Sequence, residues 1–241
     1  MMLPNFADLI ETQCSALFVE GADHSLKYIR EPGFAESELL PAPRFFMSRS
    51  PNKNIWRFRY DVPDNLVKTI QHLCLAEPKV TDFTTPHLHA SDIRQLLDEH
   101  CPITQEWSGP AYWIPKQANL SANTVLITEE NAPVLEPYFP WKITSKSNFR
   151  TSPVVATVVD NEAVSICYCA RITDKASEAG VETVESFRGY GYAGQAVARW
   201  AEVIRQSGII PLYSTSWDNL GSQRVADKLL CVTYGDNFSI T

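Results

Sequence analysis

Arg188-Gly189-Tyr190-Gly191-Tyr192-Ala193 is the stretch on which the reading of the fold turns. A short apolar-rich run, Val181 to Val184, precedes it, and a helix-like run, Tyr192 to Gln206, follows. A strand, a tight glycine turn and a helix start together make an anion site. The N–H groups of the turn and the positive end of the helix dipole point the same way. Glycine serves where the backbone must come close to a ligand or take positive φ. The anion expected here is a pyrophosphate. The turn is not a Walker loop, because no Gly-Lys-Ser/Thr follows it.

Beyond the helix comes a second strand-like run, Ile209 to Ser216. Then Trp217-Asp218-Asn219-Leu220-Gly221-Ser222 opens another short helix that ends near Leu230. An Arg-x-x-Gly-x-Ala turn, then helix, strand and an Asn-x-x-Ser helix start, resembles the GNAT superfamily of acyl-CoA-dependent N-acyltransferases. The resemblance covers roughly Asn119 to Thr241 and is strongest from Gly180 to Lys228. It implies a mixed-sheet α/β (α+β) domain with splayed central strands, spanning 119–241. A smaller α/β unit over 1–118 precedes it, read as an accessory or acceptor-shaping domain. The implied activity is transfer of an acetyl group from acetyl-CoA to an amine, with CoA as product. A non-catalytic acyl-CoA-binding or regulatory protein on the same fold is the alternative.

The resemblance also implies roles for particular residues. Backbone groups of Val181 and Thr183 would pair with the pantetheine arm. The pyrophosphate would sit on N–H groups from Arg188 to Gly194, that is Arg188, Gly189, Tyr190, Gly191, Tyr192, Ala193 and Gly194. Valine at Gly191 is then expected to abolish cofactor binding and spare the fold. Arg188 either contacts the ligand or braces the turn. Asn219 matches the family's asparagine at the strand exit, and it also suits a helix cap. Ser222 falls near the thioester or is simply a first-turn serine.

Acid and base are less determined. Family members commonly carry a tyrosine seven residues beyond the motif asparagine, and this chain has Ala226 there. Tyr213 is the first substitute, with Tyr190, Tyr192, Tyr234 and water as others. Glu182 and Glu185 flank the cleft as candidate bases acting through water, or are solvated strand-end carboxylates. Direct attack needs no covalent enzyme intermediate, so no cysteine nucleophile is nominated.

The 241 residues are 44% hydrophobic and 20% charged, with net charge −7, ordinary for a globular protein. The acidic balance argues against a nucleic-acid partner. Met1 to Asp8 lacks a cationic region before an apolar core, and no apolar run reaches spanning length. The sequence therefore predicts a cytoplasmic, membrane-free protein with a small-molecule or protein amine as acceptor. Its oligomeric state is open. The six cysteines include no Cys-x-x-Cys pair and read as reduced thiols. His87-x-His89 with His100-Cys101 matches no strong zinc spacing, so the histidines read as surface residues and no metal is expected.

In the first half, Asn5 is set to cap a helix running to about Val19. Ile55 to Tyr60 alternates as a strand, with Arg57 and Arg59 opposite Trp56, Phe58 and Tyr60. These arginines with Arg49 form a candidate anion patch, or an ordinary half-buried strand. Pro63-Asp64 starts a helix through Ala76, and Ser91-Asp92 another. Ser108-Gly109-Pro110 reads as a break, and Cys231–Tyr234 and Phe238–Ile240 as two short closing strands. In between, strands over Pro153–Val159 and Ala163–Ile172 are joined at Asp160-Asn161-Glu162, which fits a hairpin.

Overall fold

The computed structural model describes residues 5–117, 122–146 and 148–241. Six α-helices are described: α1 (Phe6–Leu17), α2 (Asp64–Ala76), α3 (Ala90–His100), α4 (Pro140–Ile143), α5 (Tyr192–Gln206) and α6 (Leu220–Lys228). The strands are β1 (Phe18–Glu20), β2 (Leu26–Ile29), β3 (Phe45–Arg49), β4 (Asn54–Phe58), β5 (Glu106–Trp113) and β6 (Thr124–Leu126). They continue with β7 (Val154–Val159), β8 (Glu162–Ile172), β9 (Ala176–Thr183), β10 (Ile210–Ser214) and β11 (Val232–Ile240). β1 and β2 form a two-stranded ribbon. The other nine make one sheet in the order β4-β3-β11-β5-β10-β9-β8-β7-β6.

Local chemistry explains most of these elements. Asn5 caps α1 through its side chain, which accepts from the Ala7 N–H. Asp160 and Asn161 both take positive φ, the backbone that a two-residue hairpin between β7 and β8 requires. The α5 helix has the bounds that the sequence predicts. Its apolar stripe, Ala196, Val197, Trp200, Ala201 and Ile204, is fully buried against the sheet.

The sheet runs across the predicted boundary between the halves, so the smaller N-terminal domain does not stand apart as a sheet of its own. β5, from the first half, lies between β10 and β11 and pairs antiparallel with both. Ser108-Gly109-Pro110 is therefore inside a strand rather than at a break. A Cβ on Gly109 would fall 1.8 Å from the Thr215 carbonyl oxygen, so glycine here lets the end of β10 approach the β5 backbone. The two expected closing strands are one strand, β11, with a register shift between Thr233 and Gly235. That bulge turns Tyr234 into the core beneath α1. A 3₁₀ turn, Ala132–Leu135, leads into α4.

Helices pack on both faces. On β10, Leu212 joins the core beneath α1 and its neighbour Tyr213 joins the core beneath α5, as strand alternation requires. A third core lies between α2, α3 and the strands β3 and β11. Arg49, Arg57 and Arg59 do not form an anion patch. Arg49 is held by Asp236 and Glu77, Arg57 by Glu11 and Glu20, and Arg59 by Asp61. His87 is not a surface residue. Its side chain is 8% exposed, and its Nε2 lies 3.0 Å from Asp236 Oδ2. Cys14, Cys74, Cys167 and Cys169 are free and buried, whereas Cys101 is exposed.

Candidate functional site

The site begins where two parallel strands part. β9 and β10 pair only at Ala176/Ile210, Ser177/Pro211 and Glu178/Leu212. Beyond that point each follows its other neighbour. β9 stays with β8 as far as Thr183. β10 follows β5, and the chain continues along it with Thr215 N–H on the Pro110 carbonyl and Trp217 N–H on the Ser108 carbonyl. The fork leaves one edge of β9 without a strand. Val184 N–H bonds back to the Val164 carbonyl on the β8 side. By strand alternation the N–H and C=O groups of Val181 and Thr183 then face the opening.

The fork opens into a cavity of about 840 Å³. Of the residues expected to bind cofactor, Val181, Thr183, Arg188, Gly189, Gly191, Tyr192, Ala193, Gly194, Asn219 and Ser222 line it. Tyr190 does not. Its ring stacks on Tyr192 and is largely exposed. Gly189 and Gly191 have φ of 88° and 85°, and a Cβ on either would enter open space. Valine at Gly191 would therefore strain the backbone as well as fill the site, so it cannot separate binding from folding. Gly191 takes the cap position of α5 with no side chain bonding to the helix start. The first turn's N–H groups, at Tyr192, Ala193 and Gly194, have no intrahelical partner and lie at the cavity wall.

Asn219 caps α6 by accepting from Ser222 N–H at 3.1 Å, and its residue also lines the cavity. The cap and the lining role coexist. Arg224 and Lys228, four residues apart on α6, line the same cavity, and neither forms an ion pair among the described residues. Among the described residues the Arg188 guanidinium pairs with the Glu185 carboxylate alone, at 4.0 Å. The cavity is thus basic in an acidic protein. Sequence reasoning missed Arg224 and Lys228, although their spacing on the helix after Asn219 could have marked them as one face.

Of the three catalytic candidates, two line the same cavity. Tyr213 and Glu182 line the cavity, while Glu185 points to solvent with a 90% exposed side chain. Tyr213 is 3% exposed, and burial pushes its phenol up to about 12, slightly offset by Ser222. Among the described residues no hydrogen bond of good geometry joins Tyr213 to Ser222, and the buried Tyr213 hydroxyl has no partner. Glu182 accepts from the Tyr168 hydroxyl at 3.2 Å. Ala226 is buried in the core beneath α5.

Glu178 was not foreseen from sequence. It lies at the fork with its Oε2 3.1 Å from Ser214 Oγ, and its Oε1 accepts from Gln13 Nε2 at 2.6 Å. Burial raises its carboxyl from 4.5 to about 7. It lines neither cavity, and its hydrogen bonds tie β9 to β10 and α1. Between about pH 4.5 and 7 the folded protein keeps a proton that the unfolded chain releases. The stability from this group is full below about 4.5 and lost as pH rises through 7, by on the order of 3 kcal/mol. Glu178→Gln should remove that loss. In urea titrations the variant should gain on the parent between pH 5 and pH 8, and a pH-independent difference would refute the assignment.

No family model matches the chain, and no curated protein matches it. Solved structures do. The matches include a GNAT-family acetyltransferase of Colwellia psychrerythraea (12% identity, TM-score 0.47, 100% of this chain and 99% of that one). A GCN5-related N-acetyltransferase-like protein of Streptococcus suis matches at 13% identity and TM-score 0.49, over 83% of this chain and 85% of that one. The chain resembles solved GNAT acetyltransferases. A GCN5-related N-acetyltransferase of Kribbella flavida matches at 18% identity and TM-score 0.43, over 64% of this chain and 63% of that one. The chain thus spans less than two thirds of the Kribbella protein's length. Among the described residues no helix is long and apolar enough to cross a membrane.

Proposed function

We propose that this protein is an N-acyltransferase that passes an acetyl group from acetyl-CoA to an amine. One observation carries the reading: the fork between β9 and β10 opens on a glycine turn and an uncapped helix start in a basic cavity. The residues suit the ligand. Gly189 and Gly191 leave space where side chains would stand, and the α5 N-terminus offers unpaired N–H groups to a pyrophosphate. Arg188, Arg224 and Lys228 supply positive charge for phosphates. The free edge at Val181 and Thr183 suits an amide-bearing arm lying like an added strand. The bound thioester would supply an acyl carbon open to attack.

In the transfer the amine nitrogen gains the acyl carbon and loses one proton to a base, while the sulfur leaves as a thiolate that takes a proton from water. Glu182, directly or through water, is the base we assign. Tyr213 holds its proton at neutral pH because burial opposes ionisation. A phenol of that weakness donates a hydrogen bond to a departing thiolate rather than surrendering its proton outright. Tyr213→Phe should therefore lower kcat by roughly 10–100-fold and leave the acetyl-CoA affinity within about twofold. Unchanged kcat would remove Tyr213 from the mechanism.

Ala226 favours the second reading, a protein that binds acyl-CoA without turnover. It is packed in the core where many relatives in the implied family carry an acid. Calorimetric titration with acetyl-CoA, CoA and NAD, followed by an assay for free thiol with a panel of amines, separates the readings. Saturable binding of acetyl-CoA and CoA but not NAD, with thiol release, is the expected result. Binding without release on any amine would favour the binder, and no binding by folded protein would overturn both.

A further inference from the structure

Residues from both faces of the sheet line the large cavity, so it passes through the sheet at the fork. Val181, Tyr213 and Val225 belong to the core beneath α5. Phe139 and Val184 belong to a fourth core, on the opposite face, which the Ala132–Leu135 turn and α4 make with β7 and β8. Alternation along β9 puts Glu182 on this opposite face with Val184. The two faces differ in chemistry. Arg224 and Lys228 lie on α6, on the same side as the α5 helix start. The opposite face offers rings and one carboxylate. Tyr138 lines the cavity next to Phe139, is 41% exposed, and meets Phe187 edge to face at 6.3 Å. The Tyr168 hydroxyl holds Glu182 and closes this side. Behind Tyr168 lies a second cavity, of about 270 Å³, lined by Phe34, Trp141 and Lys142.

We propose that the acceptor enters the large cavity from this opposite face and is a primary amine on an apolar body, without a carboxylate. Its nitrogen lies toward Glu182 and its apolar group against Tyr138 and Phe187. The inference rests on the acyltransferase reading and narrows its acceptor to one chemical class. With the cofactor on the α5 face, the thioester carbon lies at the fork, and the opposite face is left for the nucleophile. There an ammonium finds a carboxylate, and an apolar group removes the open Tyr138 ring from water. A carboxylate on the acceptor would meet Glu182 and, among the described residues lining this side of the cavity, no cation. Lys142 does not line it; its Nζ stands 4.6 Å from the centre of the Tyr168 ring. The ammonium gives one proton to solvent. The nitrogen gives a second to Glu182 as it bonds to the acyl carbon and the thiolate departs.

The test measures thiol release from acetyl-CoA by the whole chain with three acceptors. Phenethylamine is compared with ethanolamine, which has the same two-carbon arm and a polar end, and with phenylalanine, which adds the carboxylate. Both comparators lose their ammonium proton more readily than phenethylamine, so an advantage for phenethylamine reports the cavity rather than basicity. Its kcat/KM should exceed that of each comparator by roughly tenfold or more. Tyr138→Ala should raise the KM for phenethylamine by a similar factor. Its kcat, the KM for ethanolamine and the calorimetric affinity for acetyl-CoA should stay within about twofold. Equal or better turnover of ethanolamine or phenylalanine would overturn the proposal. So would an unchanged KM for phenethylamine in a folded Tyr138→Ala protein, or a loss of acetyl-CoA affinity in it, which would place Tyr138 on the cofactor. Acetyl-CoA binding without transfer to phenethylamine overturns this inference alone, whereas no binding of acetyl-CoA by the parent overturns the acyltransferase reading and this inference with it. If the Ala variant does not fold, the comparison of acceptors on the parent decides.

Discussion

Gly194→Leu is expected to weaken acetyl-CoA binding roughly 100-fold, about 2.7 kcal/mol, while leaving the protein at least as stable. Gly194 lies in the first turn of α5 and lines the large cavity, and a Cβ there would meet nothing within 4 Å. A leucine side chain would project where a pyrophosphate must approach the N–H groups of the turn. The backbone is helical at this position, unlike the positive φ at Gly189 and Gly191. Leucine costs the helix nothing there and replaces its weakest former, worth up to about 1 kcal/mol of stability. Loss of binding with an undiminished melting temperature therefore separates occlusion of the cavity from damage to the fold. Retained affinity in calorimetry would mean that no ligand lies on this helix start.

Arg49→Met is expected to cost about 3–5 kcal/mol of stability, because it strands two buried carboxylates. The Arg49 side chain is 0% exposed. Its Nε and Nη2 donate to Asp236 at 3.0 and 2.8 Å, and its Nη1 donates to Glu77 at 2.8 Å. The Thr85 and Pro86 carbonyls take its remaining donors, and His87 closes the cluster on Asp236. The network ties the segment after α2 to the end of β3 and the middle of β11. Urea unfolding should give the loss directly, and the melting temperature should fall by on the order of 10 °C. A change below about 1 kcal/mol would show that the cluster relaxes without its cation. Were Arg49 instead an anchor for an anionic acceptor, the variant would raise that acceptor's KM and leave stability intact.

Much of the cofactor side was legible because its signals are local. Arg188 to Ala193 is a turn whose two positive-φ positions are both glycine, and Asn219 caps the helix that follows it. Such features arise between residues a few positions apart, where backbone sterics and capping hydrogen bonds leave few alternatives. The misreadings share the opposite character. Ser108-Gly109-Pro110 looks like a break until Thr215 and Trp217 approach it across the sheet. His87 looks solvated until Asp236 and Arg49 surround it. Glu178, Lys142 and Tyr168 carry no motif, since burial is a property of their neighbours. Glu185 fits the expected cleft edge by sequence, yet the 3₁₀ turn at Glu185–Phe187 leaves its side chain in solvent.

The residues in order thus settle the glycine turn, the length of α5, the α6 cap and the hairpin between β7 and β8. Each is governed by contacts within a few residues of chain. Tertiary structure alone decides that β5 inserts beside β10, that β10 follows it away from β9, and that Arg224 and Lys228 line the resulting cavity. It also sets the second cavity behind Tyr168 and Glu182, with a wall from the first half of the chain. Those outcomes depend on which distant strand captures the hydrogen-bonding edge of β10. No spacing along the chain records that competition.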